Sequence, residues 1–199
     1  RIEIGGEDIA GLDPVALRRR IGWVMQGDGL FPHYTVFENI AVVPRLLGWD
    51  AERIAARVDA LLDLVRLAPA DFARRKPSEL SGGQRQRVGV ARALAAGPGL
   101  MLMDEPFGAL DPITRDGLRD DVAALQRELG FAAVIVTHDM AEALLLATRI
   151  AVMHEGEVIQ YDTPQRLLAE PADARVARML ESPLREAGRI AALTDAGHG

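Results

Sequence analysis

The sequence predicts an α/β protein with a mostly parallel sheet covered by helices, and with a separate helical lobe. Three short apolar stretches predict buried strands, at residues 21–25, 100–103 and 133–136. An amphipathic helical pattern precedes each of the last two, and strands that alternate with helices form parallel, helix-covered sheets. Between the first two strands, from residue 36 to about 67, apolar residues recur at helical spacing and predict the helical lobe.

The remaining elements follow from the same kinds of pattern. Alternation over residues 1–5 predicts an edge strand, and residues 13–20 predict a short helix. Two apolar stretches around the turn Glu155-Gly156, at residues 150–153 and 158–161, predict a hairpin. Residues 164–180 are then expected to be helical, and the tail beyond Ser182 is small and polar.

Composition excludes several classes of protein. The 199 residues are 49% hydrophobic, which is enough for one sizeable core and argues against disorder. The net charge of -6 argues against a nucleic-acid surface, and the chain has no cysteine for disulfides or thiolate metal sites. No apolar run reaches the roughly 18 to 20 residues that span a bilayer. We therefore expect a cytosolic chain unless it docks on a membrane-bound partner.

One segment predicts an anion site at the start of a helix. Leu80-Ser81-Gly82-Gly83-Gln84 precedes a helical stretch from Arg85 to Ala96. Free backbone N–H groups and the helix dipole at such a start favour bound anions. The alternative is an ordinary loop in which Ser81 only caps the helix.

Polar residues also follow the predicted strands. Asp104 and Glu105 come at the end of the second strand, and Thr137 and His138 at the end of the third. Ligands of open α/β sheets bind beyond the carboxyl ends of the strands, so this position suits a reaction site. An Asp-Glu pair after an apolar run can equally be a cap or a surface turn.

These motifs together resemble one family. The stretch LSGGQRQRVGVARAL resembles the signature motif of ABC-transporter ATPases, and residues 100–105 resemble their Walker B strand. The resemblance covers essentially the whole chain and implies a P-loop NTPase-type core with an inserted helical subdomain, truncated at its amino terminus. It divides the chain into core with Q-loop (1–33), helical subdomain (34–80), core with signature, Walker B, D-loop and switch histidine (81–165), and C-terminal helix and tail (166–199).

The resemblance also implies a role for each site residue. Asp104 would hold Mg²⁺ through water while Glu105 faces the hydrolytic water, and Gln26 would reach both. His138 would contact the γ-phosphate of ATP. Two groups of residues would act across a subunit interface. Ser81, Gly82, Gly83 and Gln84 would contact a nucleotide held by a second copy. Asp111, in the D-loop 108–111, would help to couple the two copies. Asp111 has a compatible alternative as an N-cap ahead of Pro112.

The phosphate-binding P-loop has no match in the chain. The motif G-x-x-x-x-G-K-[ST] needs a lysine, and the single lysine, Lys76, is followed by proline and preceded by no such glycines. In the family this loop precedes the strand that resembles residues 1–5, so we expect it upstream of Arg1. We expect the 199 residues alone to bind ATP weakly and to hydrolyse it at a negligible rate.

Two further stretches resemble importer ATPases. Residues 30–36, followed by Glu38-Asn39-Ile40, are typical of importers, and residues 43–49 resemble ATPases that import osmoprotectants such as glycine betaine, choline and other quaternary amines. This implies ATP and Mg²⁺ as cofactors. It also implies a permease, a second ATPase subunit, indirectly a substrate-binding protein, and a place on the inner face of the plasma membrane.

Two other functions stay open from the sequence. One is a non-transport ABC ATPase, such as those of DNA repair or ribosome-associated proteins, which the acidic balance and the importer-like lobe disfavour. The other is a non-catalytic subunit that completes a partner's ATP site through residues 81–84, which the presence of Glu105 and His138 disfavours.

Overall fold

The computed structural model describes residues 1–27, 29–108 and 110–196, and it divides into two compact units at Val136 and Thr137. The division into segments 1–33, 34–80, 81–165 and 166–199 was made by expected function, and it stays a prediction. Within the described residues, no helix has both the length and the apolarity needed to cross a membrane.

The first unit contains two sheets and six α-helices in its described residues. A hairpin of β1 (Glu3–Ile4) and β2 (Glu7–Asp8) is followed by α1 (Pro14–Arg19) and β3 (Ile21–Val24). The helical lobe then comprises α2 (Val36–Leu46), α3 (Ala51–Leu64) and α4 (Pro69–Phe72). The chain continues through α5 (Gly82–Leu94), β4 (Leu100–Asp104), α6 (Pro112–Leu129) and β5 (Ala132–Val136), with short 3₁₀ turns at Ile9–Gly11 and Pro77–Glu79.

A three-stranded sheet forms the centre of this unit. Its order is β3-β4-β5 and both pairings are parallel, with Ile21 opposite Leu100 and Leu100 opposite Ala132. The predicted parallel sheet is therefore confirmed. The carboxyl ends of all three strands consequently lie at one edge.

The two faces of this sheet differ in burial. Helix α5 packs so closely on one face that a Cβ on Gly22 would lie 2.8 Å from the carbonyl oxygen of Ala93. Met101 and Met103 are buried on this face, whereas Trp23 and Val134 on the other are 57% and 53% exposed. The prediction of fully buried strands is therefore wrong for β3, whose Trp23 is exposed, and for β5, where even Ala133, opposite the buried Met101, is exposed.

The helical lobe follows the predicted pattern. The predicted apolar face of α3 and its cap is buried, with Val58, Leu61 and Leu62 fully inaccessible and Val65 nearly so. Helices α2 and α3 both contact α5. The lobe is therefore packed directly on the helix that begins with the anion-site motif.

The second unit contains α7 (Met140–Leu146), β6 (Ile150–His154), β7 (Glu157–Asp162), α8 (Pro164–Ala169) and α9 (Ala174–Ala196). The two strands form the predicted hairpin, with positive φ angles at Glu155 and Gly156 in its turn. Its core consists of apolar residues from the hairpin and the last two helices, Ile150, Val152, Leu167, Val176 and Leu180. The single helix predicted at 164–180 is two helices, and α9 continues through the predicted tail.

Candidate functional site

The carboxyl edge of the central sheet brings two predicted site residues together. Gln26 lies just beyond β3 and Glu105 just beyond β4, and these strands are parallel neighbours. The Gln26 side-chain Nε2 donates a hydrogen bond of 3.0 Å to Oε2 of Glu105. Asp104, the last residue of β4, is exposed at the same edge. The edge therefore gathers two carboxylates and an amide, all oxygen-bearing groups.

The backbone at Glu105 is unusual and firmly held. Its φ of 43° lies in the left-handed region, which costs a residue with a side chain about 1–2 kcal/mol. Its N–H donates to the carbonyl of Val136 at 2.9 Å, and its carbonyl accepts from the N–H of Gly108 at 3.2 Å. Such outliers persist where surrounding contacts determine them and are common at reaction sites. Both backbone polar groups of Glu105 are thus hydrogen-bonded, which fixes the point from which its side chain extends.

The start of α5 is built as a capping box. The Ser81 hydroxyl accepts from the Gln84 N–H at 3.3 Å, and the Gln84 side-chain oxygen accepts from the Ser81 N–H at 2.9 Å. The first turn contains no acidic residue. Gly82 and Gly83 occupy the first helical positions, where an N–H has no acceptor within the helix. The N-cap reading of Ser81 is correct, and it is compatible with anion binding at this neutral helix start.

Gly83 also serves packing. A Cβ at this position would lie 2.4 Å from the Cγ2 of Thr114, in the first turn of α6. Glycine therefore allows the first turns of α5 and α6 to touch. The sequence analysis missed this contact because it joins segments far apart in the chain.

Asp111 begins α6 as its N-cap. Its carboxylate accepts from the Thr114 N–H at 3.1 Å. Hydrogen bonds from the side chain and backbone of Thr114 lower the pKa of the Asp111 carboxyl below its ordinary value. The carboxylate is therefore ionised at neutral pH. Of the predicted D-loop, Ala109 lies outside the described residues.

His138 belongs to the second unit. It lies in the exposed loop between the last residue of β5 and the start of α7. Its neighbours order this loop, since the Asp139 N–H donates to the Thr137 hydroxyl at 3.0 Å and the Asp139 carboxylate accepts from the Glu142 N–H at 3.1 Å. The role of His138 toward a phosphate stays a prediction.

Two residues that the sequence analysis did not single out hold the segment after Gln26. Arg92 of α5 donates to the carbonyl of Gly29 at 2.8 Å. Asn39 of α2 is fully buried, and its side chain bonds both the N–H and the carbonyl of Phe31 at 2.8 and 3.2 Å. A polar residue on the apolar face of a helix was the sequence signal for Asn39.

A family model described as "ABC transporter" matches residues 1–108, more than half of the chain.

The chain belongs to the ABC transporter family.

Two curated relatives illustrate the similarity in sequence. The carnitine transport ATP-binding protein of Listeria monocytogenes is 54% identical over 176 residues, covering 88% of this chain and 44% of that protein. The glycine betaine/carnitine/choline transport ATP-binding protein of Bacillus subtilis is 53% identical over 180 residues, with coverages of 90% and 47%. The chain thus spans about half the length of the curated relatives it matches.

A solved structure has the same architecture. It is a dimeric ATP-binding cassette in a post-hydrolysis state with ADP and phosphate bound. Its TM-score is 0.69 at 34% identity, over 81% of this chain and 72% of that one. The ABC ATPase fold expected from the resemblance is therefore confirmed.

The oxygen atoms at this edge suit Mg²⁺, the ion that the resemblance to ABC ATPases implies. The described residues contain no group of three or more histidine, aspartate or glutamate side chains placed to hold a metal. Mg²⁺ needs no such cage, since it binds one or two protein oxygens together with waters and substrate phosphates. Asp104 and the side-chain oxygen of Gln26 supply oxygens of that kind.

Proposed function

We propose that the full-length protein is the ATP-hydrolysing subunit of an ABC importer for osmoprotectants of the quaternary-amine class. The observation that carries the proposal is the 3.0 Å hydrogen bond between Gln26 and Glu105 at the carboxyl edge of the sheet. It places an amide that can orient water or a cation against a carboxylate that can polarise water. Both are needed for phosphoryl transfer to water.

Glu105 acts as the water-polarising carboxylate. Its fixed backbone and the amide of Gln26 hold the side chain in place, which preorganises it for the reaction. Because Gln26 Nε2 is engaged by Glu105, the amide Oε1 is the atom that faces a cation. Asp104 and this Oε1 would hold Mg²⁺, which neutralises phosphate charge when it is bound with the nucleotide.

The start of α5 acts on a nucleotide held by a second copy of the subunit. Ser81, Gly82, Gly83 and Gln84 form a neutral helix start at which a phosphate is favoured. The ionised carboxylate of Asp111 lies at the start of the adjoining helix and couples the two copies. His138 contacts the γ-phosphate. This division of roles requires a dimer, and a homodimer is the simplest form.

A P-loop outside residues 1–199 completes the phosphate site. Residues 1–199 contain no G-x-x-x-x-G-K-[ST] motif, so they do not themselves supply the lysine and the N–H groups that hold the β- and γ-phosphates in a P-loop. The 199 residues alone should accordingly bind ATP weakly and hydrolyse it at a negligible rate.

The relatives support a proposal for the solute class and the partners. Carnitine, choline and glycine betaine appear in the names of these relatives. All three are quaternary amines, so this is the solute class that we propose. A permease in the membrane would receive the helical lobe and place the subunit on the inner face of the plasma membrane. A substrate-binding protein would act on the other side of that permease.

Phosphate release tests the catalytic assignment. Mg²⁺-dependent release should be measured for the full-length subunit and for the 199-residue chain, each with and without Glu105→Gln. We expect activity in the full-length parent alone, reduced by about 100-fold or more in Glu105→Gln. Equal rates for parent and Glu105→Gln would disprove the role of Glu105. If the full-length parent is inactive alone but restores hydrolysis to a partner that has a P-loop, the protein is instead a non-catalytic subunit.

Uptake tests the transport assignment. Vesicles that contain the permease and the full-length subunit, with the substrate-binding protein on the outside, should accumulate labelled glycine betaine or choline when ATP is supplied inside. The Glu105→Gln subunit is the matched control, and a polyamine and sulfate are control solutes. Accumulation of a control solute in place of a quaternary amine would refute the solute class and leave the ATPase assignment intact.

A further inference from the structure

A buried carboxylate on α6 joins three elements of the first unit. Asp121 is only 5% exposed. Its Oδ2 accepts from Arg87 of α5 at 2.6 Å, and its Oδ1 forms an ion pair with Arg66, just beyond α3, at 2.9 Å. A buried charge is unfavourable unless it is paired and hydrogen-bonded. Here two guanidinium groups from different elements meet that requirement.

Arg87 makes a second contact that extends the junction. The same Nη1 atom donates to the carbonyl of Val65, the last residue before Arg66, at 2.9 Å. Only 17% of the Arg87 side chain is exposed. One guanidinium therefore connects the end of α3 with α6 from its position on α5.

Arg66 adopts a backbone conformation that is unfavourable for a residue with a side chain. Arg66 has a φ of 58°, the left-handed conformation that glycine usually supplies after a helix. The helix end is nevertheless regular, since the Leu67 N–H donates to the carbonyl of Leu62 at 2.9 Å. An arginine in a glycine position is unfavourable for the backbone. Its side chain reaches Asp121, which glycine could not do.

The junction lies on the two helices that carry the interface residues. Arg87 follows the Ser81–Gln84 segment on α5, and Asp121 follows Asp111 on α6. The first turns of these helices touch at Gly83 and Thr114. The Gly83–Thr114 contact and the Arg87–Asp121 pair lie at different positions along the two helices. Together they restrain both the rotation and the sliding of α5 against α6, which a single contact would not do.

We propose that Arg87 and Asp121 are a positioning pair, with Arg66 as its outer member, that sets the start of α5 against the start of α6. The pair thereby presents Ser81–Gln84 and Asp111 as one surface to the nucleotide held by a second copy. This inference rests on the proposed function, because it gives the pair its effect through the dimer. Neither arginine nor Asp121 touches the nucleotide in this arrangement.

The chemistry favours positioning over stability. A buried ion pair contributes little net stability compared with apolar packing of the same volume, but its hydrogen bonds have fixed directions. An ion pair elsewhere on α6 illustrates the contrast. Arg119 and Asp116 are joined at 2.7 Å within the same helix, so that pair cannot place α6 against another element.

The test separates binding of ATP from assembly of the dimer. The full-length subunit should carry Glu105→Gln so that ATP is not consumed. Binding of a fluorescent ATP analogue to the monomer and ATP-dependent dimerisation by light scattering are then measured for Asp121→Asn. We expect the dimer dissociation constant to rise about tenfold, a usual size for coupling between sites, with analogue affinity unchanged within about twofold. Asp120→Asn, the same change at the neighbouring exposed residue, is the control.

Two milder variants keep the test informative should Asp121→Asn fail to fold. Arg66→Gly suits the left-handed backbone and removes only the outer guanidinium, so the melting temperature should hold while dimerisation weakens by a smaller factor. Arg87→Lys keeps the charge, but its Nζ lies one bond nearer the backbone than the Nη1 atom that contacts both Val65 and Asp121, so its effect should be intermediate. In an active background, these variants should lower kcat more than they raise KM.

The outcomes are distinct. Dimerisation within twofold of the parent in all three variants, together with a lower melting temperature, would reduce the pair to a structural role and overturn the proposal. Equal losses in analogue binding and dimerisation would overturn it as well. A parent that neither binds the analogue nor dimerises would instead refute the proposed function.

Discussion

Two helices of the first unit start with the same local device and differ in charge. Helix α2 begins at a capping box of Thr35 and Glu38, and α5 begins at a capping box of Ser81 and Gln84. In the first, a carboxylate closes the box and stands in the first turn. In the second, a neutral amide closes it and the first turn is free of acidic residues. The two boxes satisfy the same backbone groups.

The difference separates a helix start that is structural from one that can bind an anion. The negative carboxylate of Glu38 compensates the partial positive charge at the start of α2. This interaction stabilises the helix, and the same negative charge repels a phosphate. At α5 that partial charge stays available to a ligand. Capping geometry alone therefore does not identify a ligand site, and the charge of the closing residue determines whether an anion is repelled there.

The largest expected effect comes from giving α5 the closing residue of α2. In Gln84→Glu, the carboxylate can still accept from the Ser81 N–H, so the helix start should remain formed. The added charge would face a phosphate, and opposed like charges across an interface cost several kcal/mol, so kcat and ATP-dependent dimerisation should fall about 100-fold. Steady-state kinetics and light scattering on the full-length subunit measure both.

The melting temperature is the internal control for this exchange. Because a carboxylate near a helix start is favourable, Gln84→Glu should melt no lower than the parent. Activity within about twofold of the parent would contradict the assignment of this helix start to an anion.

The next largest effect concerns stability at the α2 start. Asn39 is fully buried and bonds the carbonyls of Phe31, Tyr34 and Thr35 as well as the Phe31 N–H. In Asn39→Ala the Phe31 N–H and the Tyr34 carbonyl lose this partner, whereas the carbonyls of Phe31 and Thr35 keep backbone donors. The free energy of unfolding should therefore fall by about 2 kcal/mol. Urea denaturation of the full-length subunit measures the change.

An exposed residue provides the control for this prediction. Asp59→Ala on α3 removes a polar side chain that is exposed, so stability should stay within about 0.5 kcal/mol of the parent. A loss for Asn39→Ala no larger than this would mean that the loop before α2 does not depend on Asn39.

The sequence predicted the caps of α5 and α6 well. Ser81 and Asp111 were recognised as possible caps because a cap depends on residues within one turn. The meeting of Gln26 and Glu105 was also within reach, since both follow strands of one parallel sheet and such ends share an edge. Each inference needed short-range pattern and one general rule of architecture.

Contacts between distant segments could not be read in the same way. The closeness of Gly83 to Thr114, and the meeting of Asp121 with Arg66 and Arg87, depend on how α5 rests on α6. Hydrophobic periodicity predicts which face of a helix is buried, but it does not predict which partner faces it. The burial of β3 and β5 was overestimated for a related reason, because apolar composition does not tell how many faces of a strand are covered.

A smaller effect tests the packing that distinguishes α5 from α2. In Gly83→Ala, the new Cβ would clash with Thr114, and overpacking of this kind costs about 1–3 kcal/mol of unfolding free energy. Part of the loss is offset because alanine favours helix more than glycine by about 1 kcal/mol. Urea denaturation should therefore show a net loss of about 1 kcal/mol.

Two partner variants identify the cause of that loss. Gly83→Ala combined with Thr114→Ser removes the Cγ2 methyl group and should recover most of the stability. Gly82→Ala should cost nothing, since a Cβ there meets its nearest neighbours at 3.9 and 4.0 Å. An equal loss at both glycines would point to backbone conformation and not to the contact with Thr114.

The smallest effect is the reverse exchange, in which α2 receives the neutral closing residue of α5. Hydrogen bonds from the backbone and side chain of Thr35 lower the pKa of Glu38 in the folded state, with a lesser contribution from Arg45. A carboxyl whose pKa is lowered on folding adds stability above its unfolded pKa, and loses it as the pH falls through the folded value. Glu38→Gln should thus be slightly less stable than the parent at pH 7, and the difference should vanish in acid.

Denaturation at several pH values between neutral and acid measures this difference in stability, with Glu52→Gln in the first turn of α3 as the control. A difference that persists unchanged in acid would show that the Glu38 side chain acts at α2 through its shape, as Gln84 does at α5, and not through its charge.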